Sequence, residues 1–313
     1  MWRFESSLQH LTKKQKLIVI LGPTASGKSD IAVALARKFN GEIISADSRQ
    51  VYKGLDIGTG KITKREMRGI KHHALDIADP KKIFTVSDYL KYTNGTIVPI
   101  VYSGKLPIIC GGTGFYIDAL LGDKQIPEVP PNLELRKKLE KKSVVELFKI
   151  LEKLDPERAR NIDAKNTRRL VRAIEICKAL GKVPKFELRS MNYEVCKIGI
   201  KVEEKELRKR IEKRIEKWFK QGLLKEVKTL HQKGLTWKRM SEIGLEYKLV
   251  AQYYTTQKKS KTVFDITQLK KKMAEKTWQY AKRQMTWFKR DKSIVWLEPK
   301  INLVEKEVNK FLK

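Results

Sequence analysis

Four groups of residues in this chain could do chemistry on a phosphorylated substrate. Gly22-Pro23-Thr24-Ala25-Ser26-Gly27-Lys28-Ser29 fits G-x-x-x-x-G-K-[ST] at every fixed position. Backbone N–H groups of such a loop curl around phosphate oxygens, Lys28 adds a full charge, and the Ser29 hydroxyl can ligand magnesium. A di- or triphosphate is the expected ligand, and the motif alone does not say whose. Asp47 ends an apolar run. Its carboxylate could take a proton from a nucleophile, hold magnesium through water, or cap the next turn. Gly111-Gly112-Thr113 ends another apolar run. A motor ATPase has an acidic residue there, and its replacement by glycines and a hydroxyl argues against ATP hydrolysis. Arg210 and Arg214 stand one helical turn apart, able to reach a phosphate or to pair with neighbouring Glu.

These groups need elements to place them. Leu17 to Leu21 is continuous and β-branched, as a buried parallel strand is. Ile31, Ala34 and Leu35 then recur at helical spacing, so the loop joins a strand to a helix. Glu42 to Ala46 and Leu106 to Cys110 read as two more strands. In an open parallel sheet ligands bind beyond the carboxyl ends of the strands, which puts Asp47 and Thr113 in one crevice with the loop. Ser87 to Tyr102 is a helix with Tyr89, Leu90, Ile97 and Val101 inward, and Phe115 and Tyr116 are either core, the preferred reading, or a wall of the crevice. His72 and His73 are adjacent, so they order a loop rather than share a zinc ion. The expectation is an α/β fold, a P-loop NTPase-like parallel sheet flanked by helices, with an all-helical insertion. Residues 1–122 and 193–313 form the core, and 123–192 the insertion. The returning strand is Tyr193 to Val202, then a helix from Glu203 to Lys220, and a last strand from Ile294 to Leu297.

The chain has 313 residues, and 68 Lys and Arg stand against 36 Asp and Glu, a net charge of +32. The basic residues are spread along the chain, and the charge suits a polyanionic partner, nucleic acid first and an anionic membrane surface second. Solvated lysine-rich helical faces are the plainer alternative. Arg168 and Arg172 share a helical face, either as a phosphate clamp or as such a solvated surface. Between Gln279 and Arg290, aromatic and basic residues interleave, either for RNA or as a core face with a basic exterior. Cys110, Cys177 and Cys196 form no zinc or disulfide pattern, as expected of a cytoplasmic protein. No signal peptide or bilayer-length apolar run is evident, and no membrane partner is expected.

Together these residues resemble the tRNA dimethylallyltransferases, the isopentenyl transferases of tRNA. The resemblance is carried by Gly22 to Ser29, Asp47-Ser48-Arg49-Gln50-Val51-Tyr52, Asp56-Ile57-Gly58-Thr59, His72 to Asp76 and Gly111-Gly112-Thr113. It continues through Asp155-Pro156, Arg168 to Glu175, Arg210-Ile211-Glu212 with Arg214, and Tyr280-Ala281-Lys282-Arg283-Gln284 with Thr286-Trp287-Phe288. The motifs run in family order over nearly the whole chain. At one place it departs: where members show a Gly-Tyr pair, Ile243-Gly244 is followed by Leu245-Glu246, with Tyr247 displaced.

The resemblance implies transfer of a dimethylallyl group from dimethylallyl diphosphate to the exocyclic N6 amine of the adenosine 3′-adjacent to the anticodon of tRNA, releasing diphosphate. The base would be flipped out of the anticodon stem-loop into a channel. Gly22, Pro23, Thr24, Ala25, Ser26, Gly27, Lys28 and Ser29 would hold the diphosphate. Asp47 would be the general base, Thr113 would touch the bridging oxygen, and Arg214 would help neutralise the leaving group. Mg2+ would sit with Ser29 and Asp47. Asp47, Ser48, Arg49, Gln50, Arg136, Arg168, Arg169, Leu170, Val171, Arg172 and Arg283 would meet tRNA. The enzyme would be a monomer.

Other readings remain open at this point. An adenylate prenyltransferase would use the same crevice, but a free nucleotide needs no basic helical insertion. A small-molecule kinase would use Asp47 on an acceptor hydroxyl. A non-catalytic RNA-binding module would bind nucleotide without turnover.

Overall fold

The computed structural model describes residues 14–122, 126–184, 193–257 and 265–313. The lead-in before residue 14 and the two edges of the expected insertion, 123–125 and 185–192, lie outside them. The chain divides into two compact units, Met1–Leu121 with Met191–Lys313, and Gly122–Ser190.

In the first unit β1 (Gln15–Leu21) runs into the phosphate loop and α1 (Lys28–Lys38). There follow β2 (Gly41–Ala46), α2 (Lys64–Met67), the two-residue β3 (His72–His73), α3 (Val86–Tyr102), β4 (Leu106–Gly111) and α4 (Gly114–Leu120). The second unit carries α5 (Leu133–Leu139), α6 (Val144–Leu154), α7 (Pro156–Arg160) and α8 (Thr167–Leu180). The first unit resumes with β5 (Tyr193–Ile200), α9 (Glu204–Lys220), α10 (Leu223–Gln232), α11 (Trp237–Ile243) and α12 (Leu245–Gln257). It ends with α13 (Ile266–Phe288), β6 (Val295–Leu297) and α14 (Ile301–Leu312).

The six strands form one parallel sheet in the order β3-β2-β4-β1-β5-β6. β1 lies inside it, with Ile18 opposite Ile108 on one side and Cys196 on the other. Leu17, Val19 and Leu21 pack toward Tyr89, Ile97, Tyr116 and Phe288. Ile18 and Ile20 pack toward Ile31, Leu35, Val304 and Val308. A strand buried on both faces has no use for polar alternation, so its sequence reads as one apolar run. Thr85 and Asp88 form a capping box at the start of α3, where Tyr89 and Ile97 are fully buried and Leu90 and Val101 half-buried.

α9 to α13 build a second core of the same unit, in which Leu207, Ile211, Trp218, Val227, Tyr247 and Met273 close over Val51, Tyr52 and Leu55. This core carries the loop after Asp47. His73 hydrogen-bonds the buried Glu42 through Nε2 at 2.6 Å, and His72 bonds the Ile70 carbonyl through Nδ1 at 2.9 Å, so the pair orders the sheet edge.

One core expectation is corrected. Tyr116 is buried and stacks on Tyr89 with ring centroids 4.1 Å apart, but Phe115 is 39% exposed. Neighbours on a helix point about 100° apart, so α4 cannot bury both against the sheet.

Candidate active site

The phosphate loop owes its shape to two glycines. Gly22 has φ 151°, and a Cβ there would stand 2.8 Å from the Ile200 carbonyl oxygen. Gly27, with φ 89°, precedes the first turn of α1 in the left-handed region. Between them Ser26 is fully buried, and its Oγ has no hydrogen-bond partner among the described residues. A buried hydroxyl left unpaired is costly, and a phosphate oxygen would satisfy it. Lys28 Nζ donates to the Pro23 carbonyl at 3.2 Å. Burial holds its ammonium below the usual lysine range, and the nearby Arg214 adds to the shift. An anionic ligand would relieve both effects.

Both arginines of α9 reach this loop. Arg214 Nη1 donates to Thr24 Oγ1 at 3.1 Å, and Arg210 Nη1 to the Ser26 carbonyl at 3.4 Å. Arg210 also pairs with Glu206 at 2.8 Å, so the neighbouring-Glu alternative is realised alongside the loop contact. Burial lowers the Arg214 pKa as it does that of Lys28.

Asp47 and Thr113 stand at adjacent strand ends, because β2 pairs with β4 and Ala46 lies opposite Gly111. Asp47 Oδ1 accepts the Arg49 N–H at 2.9 Å and the Gln50 N–H at 3.4 Å. The turn expected of a capping Asp thus exists, and the carboxylate is still half-buried in the crevice. Thr113 Oγ1 accepts the Ser48 N–H at 3.0 Å, while its own N–H donates to the Ala46 carbonyl at 3.0 Å. Gln50 Nε2 reaches the carbonyls of Thr59 and Gly60 at 3.3 Å each, and Arg49 is exposed. The structure therefore gathers the loop, Asp47, Thr113 and Arg214 at the carboxyl ends of β1, β2 and β4.

Three further residues belong to this neighbourhood: Glu246 and Glu226, to which sequence reasoning gave no role, and Tyr280, read from sequence only as one aromatic of the interleaved stretch. Glu246 lies in the first turn of α12, and its carboxyl is pushed up to about 7 by burial, against the pull of Arg49 and Arg214. Tyr280 on α13 is 39% exposed, and Arg283 lies over its ring at 5.9 Å. Glu226 accepts the N–H groups of Asp56, Ile57 and Gly58 at 3.1, 2.7 and 3.2 Å. The displaced Tyr247 donates its hydroxyl to the same carboxylate at 2.7 Å, so Glu226 and Tyr247 brace the loop against which Gln50 rests. The signal for Glu226 and Glu246 is a polar side chain at a partly buried helical position.

Among the described residues no three His, Cys, Asp or Glu side chains gather as a cation cage. Magnesium does not require one, since it keeps waters and takes one or two protein oxygens together with substrate phosphates. The Ser29 hydroxyl and the Asp47 carboxylate are oxygen donors of that kind, and Asp47 acts electrostatically on Lys28 next to Ser29. Cys110 also meets Ser29, and burial pushes its thiol up to about 11.

In the helical unit Arg168 and Arg169 are exposed, but Leu170 and Val171 are 0% and 8% exposed. They pack with Leu147, Leu151 and Ile174 and cannot meet RNA, which corrects their assignment to an RNA surface. At 3.6 residues per turn the helix puts the adjacent Leu170 and Val171 on its core side and leaves Arg168 and Arg169 outside. Arg136 and Arg172 both bind the buried Glu175, the first at 2.9 and 2.8 Å and the second at 2.5 Å. Arg172 Nη2 also donates to the Val129 carbonyl at 2.9 Å. The two guanidinium groups thus have a structural partner, and about a third of each side chain remains exposed.

No helix among the described residues is long and apolar enough to cross a membrane. A family model described as IPP transferase matches residues 50–291, and one described as isopentenyl transferase matches residues 15–82. A tRNA dimethylallyltransferase of Anoxybacillus flavithermus is 40% identical over 304 residues, covering 95% of each chain. That of Halothermothrix orenii is 40% identical over 289 residues, covering 90% of this chain and 86% of its own. A tRNA isopentenylpyrophosphate transferase structure from Bacillus halodurans superposes with a TM-score of 0.70 at 32% identity, covering 96% of this chain and 98% of its own. A eukaryotic dimethylallyltransferase acting on tRNA gives a TM-score of 0.78 at 27% identity, with 91% and 74% covered. With its phosphate-loop sheet and these matches over most of its length, the chain belongs to the IPP transferase family of tRNA dimethylallyltransferases.

Proposed function

We propose that this chain transfers a dimethylallyl group from dimethylallyl diphosphate to the N6 amine of the adenosine 3′-adjacent to the anticodon in tRNA. The observation that carries the reading is the convergence of Asp47, Thr113 and Arg214 on the phosphate loop at three neighbouring strand ends.

The amine nitrogen forms its bond to the first carbon of the prenyl group as the carbon–oxygen bond to diphosphate breaks. Asp47 takes the proton that the amine loses. Thr113 faces the bridging oxygen with its hydroxyl. Lys28, Arg214 and the N–H groups of the loop receive the charge that develops on the departing diphosphate. Both side chains are desolvated, which strengthens their attraction to that charge. Ser29 and Asp47 would hold magnesium, which supplies further charge neutralisation to the diphosphate.

The acceptor is reached by flipping the base from the anticodon loop. Ser48, Arg49 and Gln50 adjoin Asp47 and would meet the loop nucleotides, with Arg283 beside Tyr280 as a further contact. The helical unit, residues 123–192 in the sequence reading, would contact tRNA through Arg168 and Arg169, with Arg136 and Arg172 on the part of each that Glu175 leaves exposed. One chain carries every group named, so a monomer suffices. The three thiols are free and buried, in keeping with a cytoplasmic setting.

The deciding experiment incubates unmodified tRNA with the protein, magnesium and dimethylallyl diphosphate, without ATP, and reads the nucleosides by mass spectrometry. Prenylated adenosine in tRNA is expected. Prenylated AMP with unmodified tRNA would instead assign a free-nucleotide acceptor.

A further inference from the structure

Gln284 lies on α13, far in sequence from the phosphate loop, and is 6% exposed. Its side-chain oxygen accepts the Thr24 N–H at 2.8 Å. Its side-chain nitrogen donates to the Gly112 carbonyl at 2.8 Å. One amide therefore bridges the loop after β1 and the turn after β4. Space is tight there, since a Cβ on Gly112 would collide with this amide and come within 3.4 Å of the Gly22 carbonyl. Thr24 is held twice, its N–H by Gln284 and its hydroxyl by Arg214 at 3.1 Å. Gly112 in turn precedes Thr113.

We propose that Gln284 is a positioning residue for the reaction, setting the distance between the phosphate loop and Thr113 so that the two grip the two ends of one diphosphate. The inference rests on the reading of that crevice as the prenyl diphosphate site. Gln284 touches no reacting atom. It acts through Thr24 and Gly112, and it needs a donor and an acceptor at once. A carboxylate in its place accepts but cannot donate, and it faces the Gly112 carbonyl with a negative charge. A protonated carboxylic acid has one acceptor and one donor and restores both bonds. Burial raises the pKa of a carboxyl introduced there, so its protonated form is reachable in mildly acidic buffer.

The test compares Gln284→Glu with the unaltered protein from pH 8 to pH 5.5, each variant value divided by the unaltered value at the same pH. At pH 8 the KM for dimethylallyl diphosphate is expected to rise about tenfold or more, the scale of losing a buried hydrogen-bonding partner. The KM for tRNA is expected to stay within about twofold, and the diphosphate defect to shrink as the pH falls. Calorimetric affinity for inorganic diphosphate with magnesium should follow the same course. Gln284→Met, of similar length and with neither group, should show the selective defect without recovery. An unchanged diphosphate KM in either folded variant overturns the proposal. So does an equal loss for both substrates with no recovery at low pH. If the unaltered protein prenylates no RNA, the proposed function fails instead, and inorganic diphosphate affinity alone then decides the role of Gln284.

Discussion

The Thr113 hydroxyl oxygen accepts the Ser48 N–H at 3.0 Å, which ties the end of β4 to the backbone just beyond Asp47 at the end of β2. The oxygen is thereby oriented, and its own proton goes to Ser48 Oγ over a long 3.4 Å. An oxygen of a bound diphosphate, as a charged acceptor, would take that proton in place of the distant Ser48 hydroxyl. Thr113→Val keeps the shape and removes the hydroxyl. Turnover should fall by about 10- to 100-fold, the loss of one donor to a developing charge together with one backbone partner. Thr113→Ser should retain most of the activity. Equal kcat values for Thr113→Val and the unaltered protein would take the hydroxyl out of the reaction.

Asp47 is held by two backbone N–H groups, so its position does not depend on a ligand. Asp47→Asn is nearly isosteric and its side-chain oxygen can accept the same bonds, but the amide is no base. The expected result is a drop in kcat of about 100-fold or more with the KM for tRNA nearly unchanged. A single-turnover measurement with saturating tRNA separates the two effects. Full turnover by the variant would require another base, and Glu246, whose carboxyl is pushed up to about 7, would be the next residue to substitute.

The sheet and the phosphate loop were legible because their signals are local. β1 reads as apolar throughout since both its faces are buried, and the loop motif fixes its own glycines. Asp47 and Thr113 followed from the rule that ligands sit beyond strand ends. What joins them was not legible. Gln284 reaches Thr24 across 260 residues of sequence, and Glu226 reaches Asp56 across 170. No local pattern encodes such a pairing. The motif holding Leu170 and Val171 misled for the opposite reason, since a run of five residues looks continuous in sequence while the helix distributes it around its circumference.

That distribution makes a prediction for the helical unit. Arg168 and Arg169 are exposed, whereas Leu170 is wholly enclosed. Replacing both arginines by Ala should weaken tRNA binding and lower the slope of log K against log salt by about 2. Leu170→Ala should leave the salt slope alone and destabilise the helical unit by about 2–5 kcal/mol. Filter binding across a salt series checks the first, and amide exchange along α8 checks the second. An unchanged slope in the double variant would remove these arginines from the RNA surface.

Glu175 gives the unit a pH dependence whose sign is fixed. Burial by itself would raise its carboxyl, but hydrogen bonds from Arg136, Arg172 and the Asn132 N–H more than offset this and hold it below the usual range. A carboxyl whose folded pKa is depressed contributes stability in full above its unfolded value of about 4.3, and that stability fades as pH falls through the folded value. Glu175→Gln leaves two arginines without their carboxylate, and at pH 7 it should lower the opening free energy of α8 by about 3 kcal/mol. The difference between the two proteins should narrow as the pH falls below about 4, because the unfolded chain there takes up a proton that the native carboxyl, held below the usual range, does not. Hydrogen exchange of the α8 amides at pH 7 and by denaturant titration at pH 3–4 gives both values. A constant difference across that range would mean that the charge on Glu175 contributes nothing and that its hydrogen bonds alone hold Arg136 and Arg172.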